Sequence, residues 1–307
     1  MNANEDTQVA HGDGSFVTGS VRVVDYDAAN NNVLIRGSSA FGTRGFTITD
    51  LTKAIAADVN FAATKIKLAA NPMVIDFCLI GFAPATPEPK GKKPKEHKDE
   101  KIVMAEVSWF TDQPPTLNGN AGPYPNYIPS TIAANPGMMV YWPIQSIGGV
   151  APTSAGASWP VSPANSIGDG STQFDFSGLV PAIRNALTNQ IQASQHWPAA
   201  LNSIKNAIIY VHCDSGVNRT GAAVAGYLMN YGSNLAAMSL PPVNKSAYTV
   251  VQAQTAANLA PPSNDTKPPG GSDIPVVQAY CNFLITGNLD ADLQAKCVPI
   301  IPKTKSV

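Results

Sequence analysis

Residues 204–231 read IKNAIIYVHCDSGVNRTGAAVAGYLMNY, and no other stretch indicates the architecture as strongly. An apolar, β-branched run ends at Val211, a short polar loop follows, and small helix-forming residues begin near Arg219. This order predicts a strand, a loop and a helix. In α/β proteins such a loop lies at the carboxyl end of a strand, where ligands usually bind.

The loop in this unit is suited to bind an anion. Its backbone N–H groups lie at the amino end of a helix, where the helix dipole favours negative charge. Cys213 opens the loop, and Arg219 follows six positions later. The dipole, the amides and the guanidinium all favour the thiolate form of the cysteine, and the planar guanidinium matches two phosphate oxygens. The spacing therefore predicts a phosphate-binding loop that carries a nucleophile.

Residues 212–221, HCDSGVNRTG, resemble the HCxxGxxR[ST]G loop of the cysteine-dependent phosphatase superfamily. This superfamily includes protein tyrosine, dual-specificity, lipid and inositol phosphatases and RNA 5'-triphosphatases. Two further segments are similar to strands of the family: NNVLIRGSSAF (31–41), before the first helix, and MVIDF (73–77), which is similar to the family strand that ends in an Asp just before a variable loop. The resemblance implies the phosphatase fold and a metal-independent reaction that needs no organic cofactor.

The resemblance also implies a role for each residue of the loop. Cys213 attacks phosphorus and forms a cysteinyl phosphate, while Arg219 and the loop amides stabilise the phosphoryl oxygens. His212 orders the loop through hydrogen bonds, and Thr220 donates a hydroxyl hydrogen bond to the cysteine sulfur. Gly216 lies where the loop must turn and a side chain would collide. The predicted phosphate-binding residues are Asp214, Ser215, Gly216, Val217, Asn218 and Arg219.

The general acid that protonates the leaving oxygen has three candidates. Asp169 fits the family spacing best, because it lies 44 positions before Cys213 in the Gly-rich segment SIGDG. Asp175 precedes an amphipathic pattern and serves equally well as a helix N-cap. Asp112, in WFTDQPP, superficially resembles the Trp-Pro-Asp loop of tyrosine-specific members. We expect Asp169 to be the acid, with the other two, or no acid at all, as alternatives.

The loop composition bears on the substrate, for which we expect a phosphorylated protein or a small phosphoester. The loop has no Lys or second Arg, and Asp214 adds a negative charge, which disfavours phosphoinositides. An acid after the cysteine also occurs in phytase-like members, and GVNRTG resembles the RNA 5'-triphosphatases, so these alternatives stay open. Trp142 and Trp159 either wall a phosphotyrosine ring or, more commonly for Trp, pack in the core. A pseudophosphatase that binds phosphoryl ligands without turnover is the competing class.

Outside this unit, strands alternate with helices. Apolar runs predict strands at 21–26, 32–37, 73–82, 102–110, 138–144 and 207–213. Helical periodicity predicts helices at 49–66, 176–192, 221–231, 247–259 and 276–287. This alternation, with continuously apolar strands, favours an α/β fold with a mostly parallel central sheet and helices on both faces.

The chain is expected to form one catalytic domain, 21–307, after an N-terminal extension, 1–20. Pro and Gly cluster near 83–101, 113–137, 148–170 and 260–274, which predicts long loop insertions. The Lys-rich part of the first insertion, EPKGKKPKEHKDEK (88–101), is interpreted as a solvated loop or, alternatively, a basic docking patch.

Composition excludes several classes of protein. With 20 Lys and Arg against 21 Asp and Glu, the formal charge is −1, so no broad nucleic-acid surface is expected. The sequence has no run of about 18 consecutive apolar residues, so no membrane span is expected. The acidic amino terminus does not have the basic and apolar regions that are expected of a signal peptide. Four scattered cysteines predict free thiols and a cytosolic location. Cys281 and Cys297 are expected to be ordinary thiols or, less commonly, redox partners of Cys213.

Overall fold

The computed structural model describes residues 18–40, 48–80, 98–112, 127–144, 176–190, 203–238, 249–258, 274–285 and 296–297. Within these ranges, six strands form one sheet. The strands are β1 (Arg22–Asp27), β2 (Asn32–Ser38), β3 (Met73–Ile80), β4 (Tyr127–Pro129), β5 (Gly137–Ile144) and β6 (Ala207–Cys213).

The sheet is mixed, with the strand order β1-β2-β6-β3-β5-β4. The four central strands are parallel, whereas β1 and β4 pair antiparallel at the two edges. The expectation of a mostly parallel sheet is therefore correct for the centre and wrong for the edges. β6 lies between β2 and β3, so the loop that follows it leaves from the middle of the sheet.

Helices cover both faces of this sheet, as the alternation predicts. They are α1 (Ile48–Ala57), α2 (Phe61–Thr64), α3 (Lys98–Phe110), α4 (Phe176–Leu187), α5 (Asn218–Tyr231), α6 (Val250–Asn258) and α7 (Ile274–Leu284). Side chains alternate between the faces along each strand. In β3, Phe77 and Leu79 pack in the core that includes α4, α5, α6 and α7, whereas Cys78 and Ile80 pack in the core that includes α1 and α3.

The strand predicted at 102–110 is wrong, because this segment lies in helix α3. The buried side chains are Val103, Glu106, Val107 and Phe110, at helical spacings of three and four residues. Glu106 interrupts the apolar stripe, and the sequence therefore looked more like an alternating strand than an amphipathic helix. The correction matters because α3 places Glu106 against the sheet.

Two predicted loop insertions contain regular structure. Residues 98–101, assigned to the Lys-rich loop, belong to the first turn of α3, and Tyr127–Pro129 within 113–137 is strand β4. The insertion predicted at 148–170 lies outside the described residues, as does 260–273. The strand predicted at 207–213 coincides with β6 over its full length of 7 residues.

Cys281 and Cys297 form a disulfide, with their Cα atoms 5.5 Å apart. The prediction that they are free thiols is therefore wrong, and because they bond to each other neither is a redox partner of Cys213. Cys78 and Cys213 are free and buried. Disulfides are typical of oxidising compartments, so this pairing does not support the predicted cytosolic location. None of the described helices has the length and apolar character needed to cross a membrane.

Candidate active site

The segment that resembles the phosphatase loop joins the carboxyl end of β6 to the first turn of α5. Cys213 is the last residue of β6 and only 2% exposed, and α5 begins at Asn218. The loop is therefore the short link between a central parallel strand and the amino end of a helix of 14 residues. This is the geometry that the sequence predicts for an anion site.

Two carbonyls of the loop are held by donors at the end of the neighbouring strand β2. The backbone N–H of Ser39 donates to the carbonyl of Asp214 at 2.9 Å. The guanidinium of the buried residue Arg36 donates to the carbonyl of Gly216. Both carbonyls thus point towards the β2 end of the scaffold.

A third carbonyl, that of Cys213, lies 3.2 Å from Nδ1 of His212. In a planar trans peptide, the carbonyl of one residue and the N–H of the next point in opposite directions. The three carbonyls that contact the scaffold therefore turn the N–H groups of Asp214, Ser215 and Val217 to the other side. This arrangement provides three donors for an anion.

Gly216 combines a left-handed backbone conformation with a position that has no space for a side chain. Its φ is +73°, in the left-handed region. A Cβ atom at this position would lie 2.5 Å from the backbone carbonyl of Gly37, which leaves no space for a side chain. The predicted reason for glycine at this turn agrees with this geometry.

Arg219 lies in the first turn of α5 and reaches the end of β3. Its Nη1 donates to the carbonyl of Leu79 at 3.2 Å, and the side chain is partly exposed. Thr220 is fully buried, and its Oγ1 makes no hydrogen bond within the described residues. The hydrogen bond that the resemblance implies between Thr220 and the sulfur of Cys213 is therefore not present in this structure.

His212 lies between two carboxyl groups on the α3 face of the sheet. Its Nε2 is 2.9 Å from Oδ1 of Asp76 and 3.7 Å from Oε1 of Glu106. The same Glu106 oxygen accepts a hydrogen bond from Ser39 Oγ at 3.0 Å. His212, Asp76 and Glu106 have exposed fractions of 0%. We call these three residues the His212 cluster.

Burial and charge shift the titration of this cluster. Burial by itself lowers the pKa of His212, but Asp76 and Glu106 outweigh it and raise this pKa to about 10. Burial and the nearby Asp76 raise the pKa of Glu106 to about 7, although His212 acts in the opposite direction. His212 is thus held as an imidazolium, which suits the predicted role of ordering the loop better than that of a base.

Two further side chains pack against the cluster. The ring of Tyr210 stacks on that of His212, with centroids 5.0 Å apart, and its hydroxyl donates to the carbonyl of Ser38. Burial and then Glu106 raise the pKa of the Cys78 thiol well above its ordinary value. Ligand atoms of Cys78, Glu106 and His212 lie within 4.8 Å of one another, so these residues are also able to hold a metal ion.

The structure places one of the three candidate acids, Asp112, far from the loop. The N–H of Asp112 donates to Thr131 Oγ1 at 3.3 Å, and the N–H of Ser130 donates to the carbonyl of Gly137 at 3.0 Å. Gly137 begins β5, whereas Cys213 ends the parallel strand β6. Asp112 therefore lies near the end of the sheet where the parallel strands begin, opposite to the end that carries Cys213, and does not fit as the acid.

The other two candidate acids, Asp169 and Asp175, lie outside the described residues. Trp159, considered as a wall for a phosphotyrosine ring, also lies outside them. Trp142 is 1% exposed and packs in the core, which is the more common of the two roles considered for it.

Sequence reasoning missed Asp76 and Glu106. The strand predicted at 73–82 corresponds to β3 (Met73–Ile80), but no role was assigned to Asp76 inside it. A carboxyl in the middle of an apolar strand, and another inside an apolar helical stripe, are the signals that could have identified them, because buried acids rarely occur without a partner.

No family model matches this sequence, and searches of curated proteins and of solved structures also give no match.

Proposed function

We propose that the chain is a cysteine-dependent phosphomonoester hydrolase that acts through a cysteinyl-phosphate intermediate. The observation that carries the proposal is the arrangement of the loop carbonyls, which turns three N–H groups away from the scaffold between Cys213 and Arg219. Such a nest binds a tetrahedral oxyanion. The protein tyrosine and dual-specificity phosphatases have the most similar loop sequence, and we propose their substrates first.

The reaction has two displacement steps. The Cys213 thiolate attacks phosphorus, the S–P bond forms, and the P–O bond to the leaving group breaks. The leaving oxygen takes a proton from the acid, for which we propose Asp169. Water then attacks the cysteinyl phosphate and gives a proton to the same carboxylate, while the P–S bond breaks and the thiolate is released. In both steps the loop amides and Arg219 stabilise the equatorial oxygens.

Turnover is tested by phosphate release from a panel of substrates with a metal chelator present. The panel contains an aryl phosphate, phosphotyrosine and phosphothreonine peptides, inositol phosphates and a 5'-triphosphorylated RNA. We expect wild-type turnover, no turnover by Cys213→Ser, and a loss of about 10²-fold or more for Arg219→Lys, which keeps the charge but not the planar fork. Arg184→Lys, in α4, is the matched control and should keep the wild-type rate.

The acid is tested with a substrate that has a poor leaving group. We expect Asp169→Ala to lower its turnover by about 10²- to 10⁴-fold, with a smaller loss for an aryl phosphate. Asp112→Ala should stay within about twofold of wild type, since Asp112 lies near the opposite end of the parallel strands from Cys213. An unchanged rate for Asp169→Ala would transfer the role to Asp175.

A phosphoryl-binding protein without turnover is the second candidate. The observation in its favour is the position of Asp112, which removes one of the three proposed acids. If wild type binds tungstate but releases phosphate from no member of the panel, this second function replaces the first. If it neither binds tungstate nor turns over a substrate, both are wrong.

A further inference from the structure

Glu106 touches two of the three groups that hold the loop. One oxygen of its carboxyl accepts a hydrogen bond from Ser39, whose N–H holds the carbonyl of Asp214. The same oxygen lies 3.7 Å from Nε2 of His212, whose Nδ1 contacts the carbonyl of Cys213. A single side chain from α3 thus connects the first two loop carbonyls.

We propose that Glu106 and Asp76 are positioning residues for the phosphate loop, because they fix the two donors, His212 and Ser39, that hold its first carbonyls. The inference deepens the proposed function and depends on it for the nature of the bound anion. The side-chain contacts that support it lie on the α3 face of the sheet.

The burial of these carboxyls calls for such a role. Glu106 and Asp76 are both 0% exposed, and removing a carboxylate from water costs several kcal/mol. An apolar residue at position 106 would complete the stripe formed by Val103, Val107 and Phe110. Stability therefore does not account for Glu106, whereas its contacts with the loop donors do.

The ring of His212 links the two carboxyls to the loop. Its Nε2 faces Asp76 and Glu106, and its Nδ1 contacts the carbonyl of Cys213. Carboxyls on the Nε2 side therefore fix the orientation of the ring and of the contact on its other side.

Other groups also face the cluster. The thiol of Cys78 on β3 and the ring of Tyr210 on β6 contact it, and the guanidinium of Arg36 on β2 is a further charge near Tyr210. Burial and Asp76 raise the pKa of the Tyr210 phenol well above its ordinary value.

The first experiment measures loop geometry without turnover, through the concentration of tungstate that protects Cys213 from iodoacetamide at pH 6. We expect Glu106→Ala to weaken tungstate binding by about 10- to 100-fold. Glu106→Gln should stay within about threefold of wild type, because an amide still accepts the hydrogen bond from Ser39. Asp25→Asn, which changes a buried carboxyl on the other face of the sheet, should bind tungstate like wild type.

The second experiment follows the imidazole nitrogens of His212 by NMR as pH rises. We expect the wild-type ring to stay protonated well above pH 8, and the rings of Asp76→Asn and Glu106→Gln to lose the proton at lower pH, since each variant lacks a negative charge. This readout uses conservative variants and remains available if Glu106→Ala does not fold.

Specific outcomes would overturn the inference. One is a Glu106→Ala protein that binds tungstate within twofold of wild type, and another is a His212 titration unchanged in both conservative variants. One equivalent of zinc in the purified protein, lost in Glu106→Gln, would make the cluster a metal site instead. Failure of the proposed function gives a different pattern, since wild type would then bind no tungstate while the His212 titration still reports on the two carboxyls.

Discussion

Two clusters of buried acids lie on opposite faces of the sheet and differ in how their charges are balanced. On the face of α4 and α5, the carboxylate of Asp25 accepts hydrogen bonds from Tyr227 at 2.6 Å and Arg184 at 3.1 Å. Its other oxygen accepts from the backbone N–H of Tyr26 at 2.8 Å and of Asn234 at 2.7 Å. Ser233 Oγ donates to the same oxygen at 3.5 Å, so one carboxylate has five donors, and one of these is the cation Arg184.

On the α3 face, two carboxyls share one cation. Asp76 and Glu106 both lie near His212. Within the described residues, neither oxygen of Asp76 makes a hydrogen bond of good geometry. The first cluster resembles an ordinary structural ion pair. The second contacts the loop that carries Cys213 through His212 and Ser39. The comparison shows that the Asp25 cluster is satisfied by its own donors, whereas the carboxyls of the His212 cluster contact donors that also hold the loop.

The largest effect on stability is expected from Asp25→Asn. An amide offers one acceptor oxygen where the carboxylate offers two, so at least one buried donor loses its partner and Arg184 loses its counter-ion. We expect a loss of about 3 kcal/mol in the free energy of unfolding, measured by urea denaturation. Exposed Asp112→Asn is the control, at about 0.5 kcal/mol or less. A loss equal to that of the control would show that the Asp25 cluster is not structural.

The disulfide stabilises the same face of the sheet. Cys281 lies in α7, which packs on α4 through a contact between Phe176 and Tyr280, with ring centroids 5.0 Å apart. Replacing both Cys281 and Cys297 with Ser opens a loop with a sequence separation of 16 residues, and we expect a loss of about 2 to 3 kcal/mol. Tungstate binding of the folded variant should stay unchanged. Weaker binding would mean that the two faces are coupled.

Per pH unit, the smallest effect is a pH dependence that belongs to the His212 cluster. The pKa of Glu106 is raised from 4.5 to about 7, and that of His212 from 6.5 to about 10. Both groups bind their protons more tightly in the folded state, so the stability they contribute is fully present below the unfolded pKa and is lost as pH rises to the folded pKa. Each proton contributes a slope of at most about 1.4 kcal/mol per pH unit.

We therefore expect the free energy of unfolding to fall between pH 5 and pH 7 through Glu106, and between pH 7 and pH 10 through His212. Urea denaturation at a series of pH values measures this. Glu106→Gln should remove the first decline and Asp25→Asn should retain it. If Glu106→Gln has the same profile as wild type, the titration near neutral pH comes from another group.

The contiguous part of the site was predictable, and the contacts that support it were not. The loop from Cys213 to Arg219 lies within one strand, loop and helix unit, so the pattern of one short segment indicates its position. The groups that hold it come from β2, β3 and α3, far away in sequence. Glu106 was also missed because its segment was predicted to be a strand, which would have placed the side chain elsewhere. Packing decides such contacts, and local periodicity does not encode them.

The strands show the same contrast between what a local sequence pattern predicts and what depends on contacts with other strands. Strands with continuous β-branched runs, such as β2 and β6, were predicted within one residue of their observed bounds. The short edge strand β4 was not, because its three residues pair with β5 and have no periodicity of their own.

The chain holds one pair of cysteines oxidised and keeps its proposed nucleophile as a thiol. Burial can reconcile the two states, because Cys213 is only 2% exposed and large oxidants have little access to its sulfur. The presence of both a disulfide and a free thiol affects how the protein is purified. A strong reductant added to keep Cys213 as a thiol would also cleave the Cys281–Cys297 bond, so the choice of purification buffer decides whether the chain keeps its cross-link.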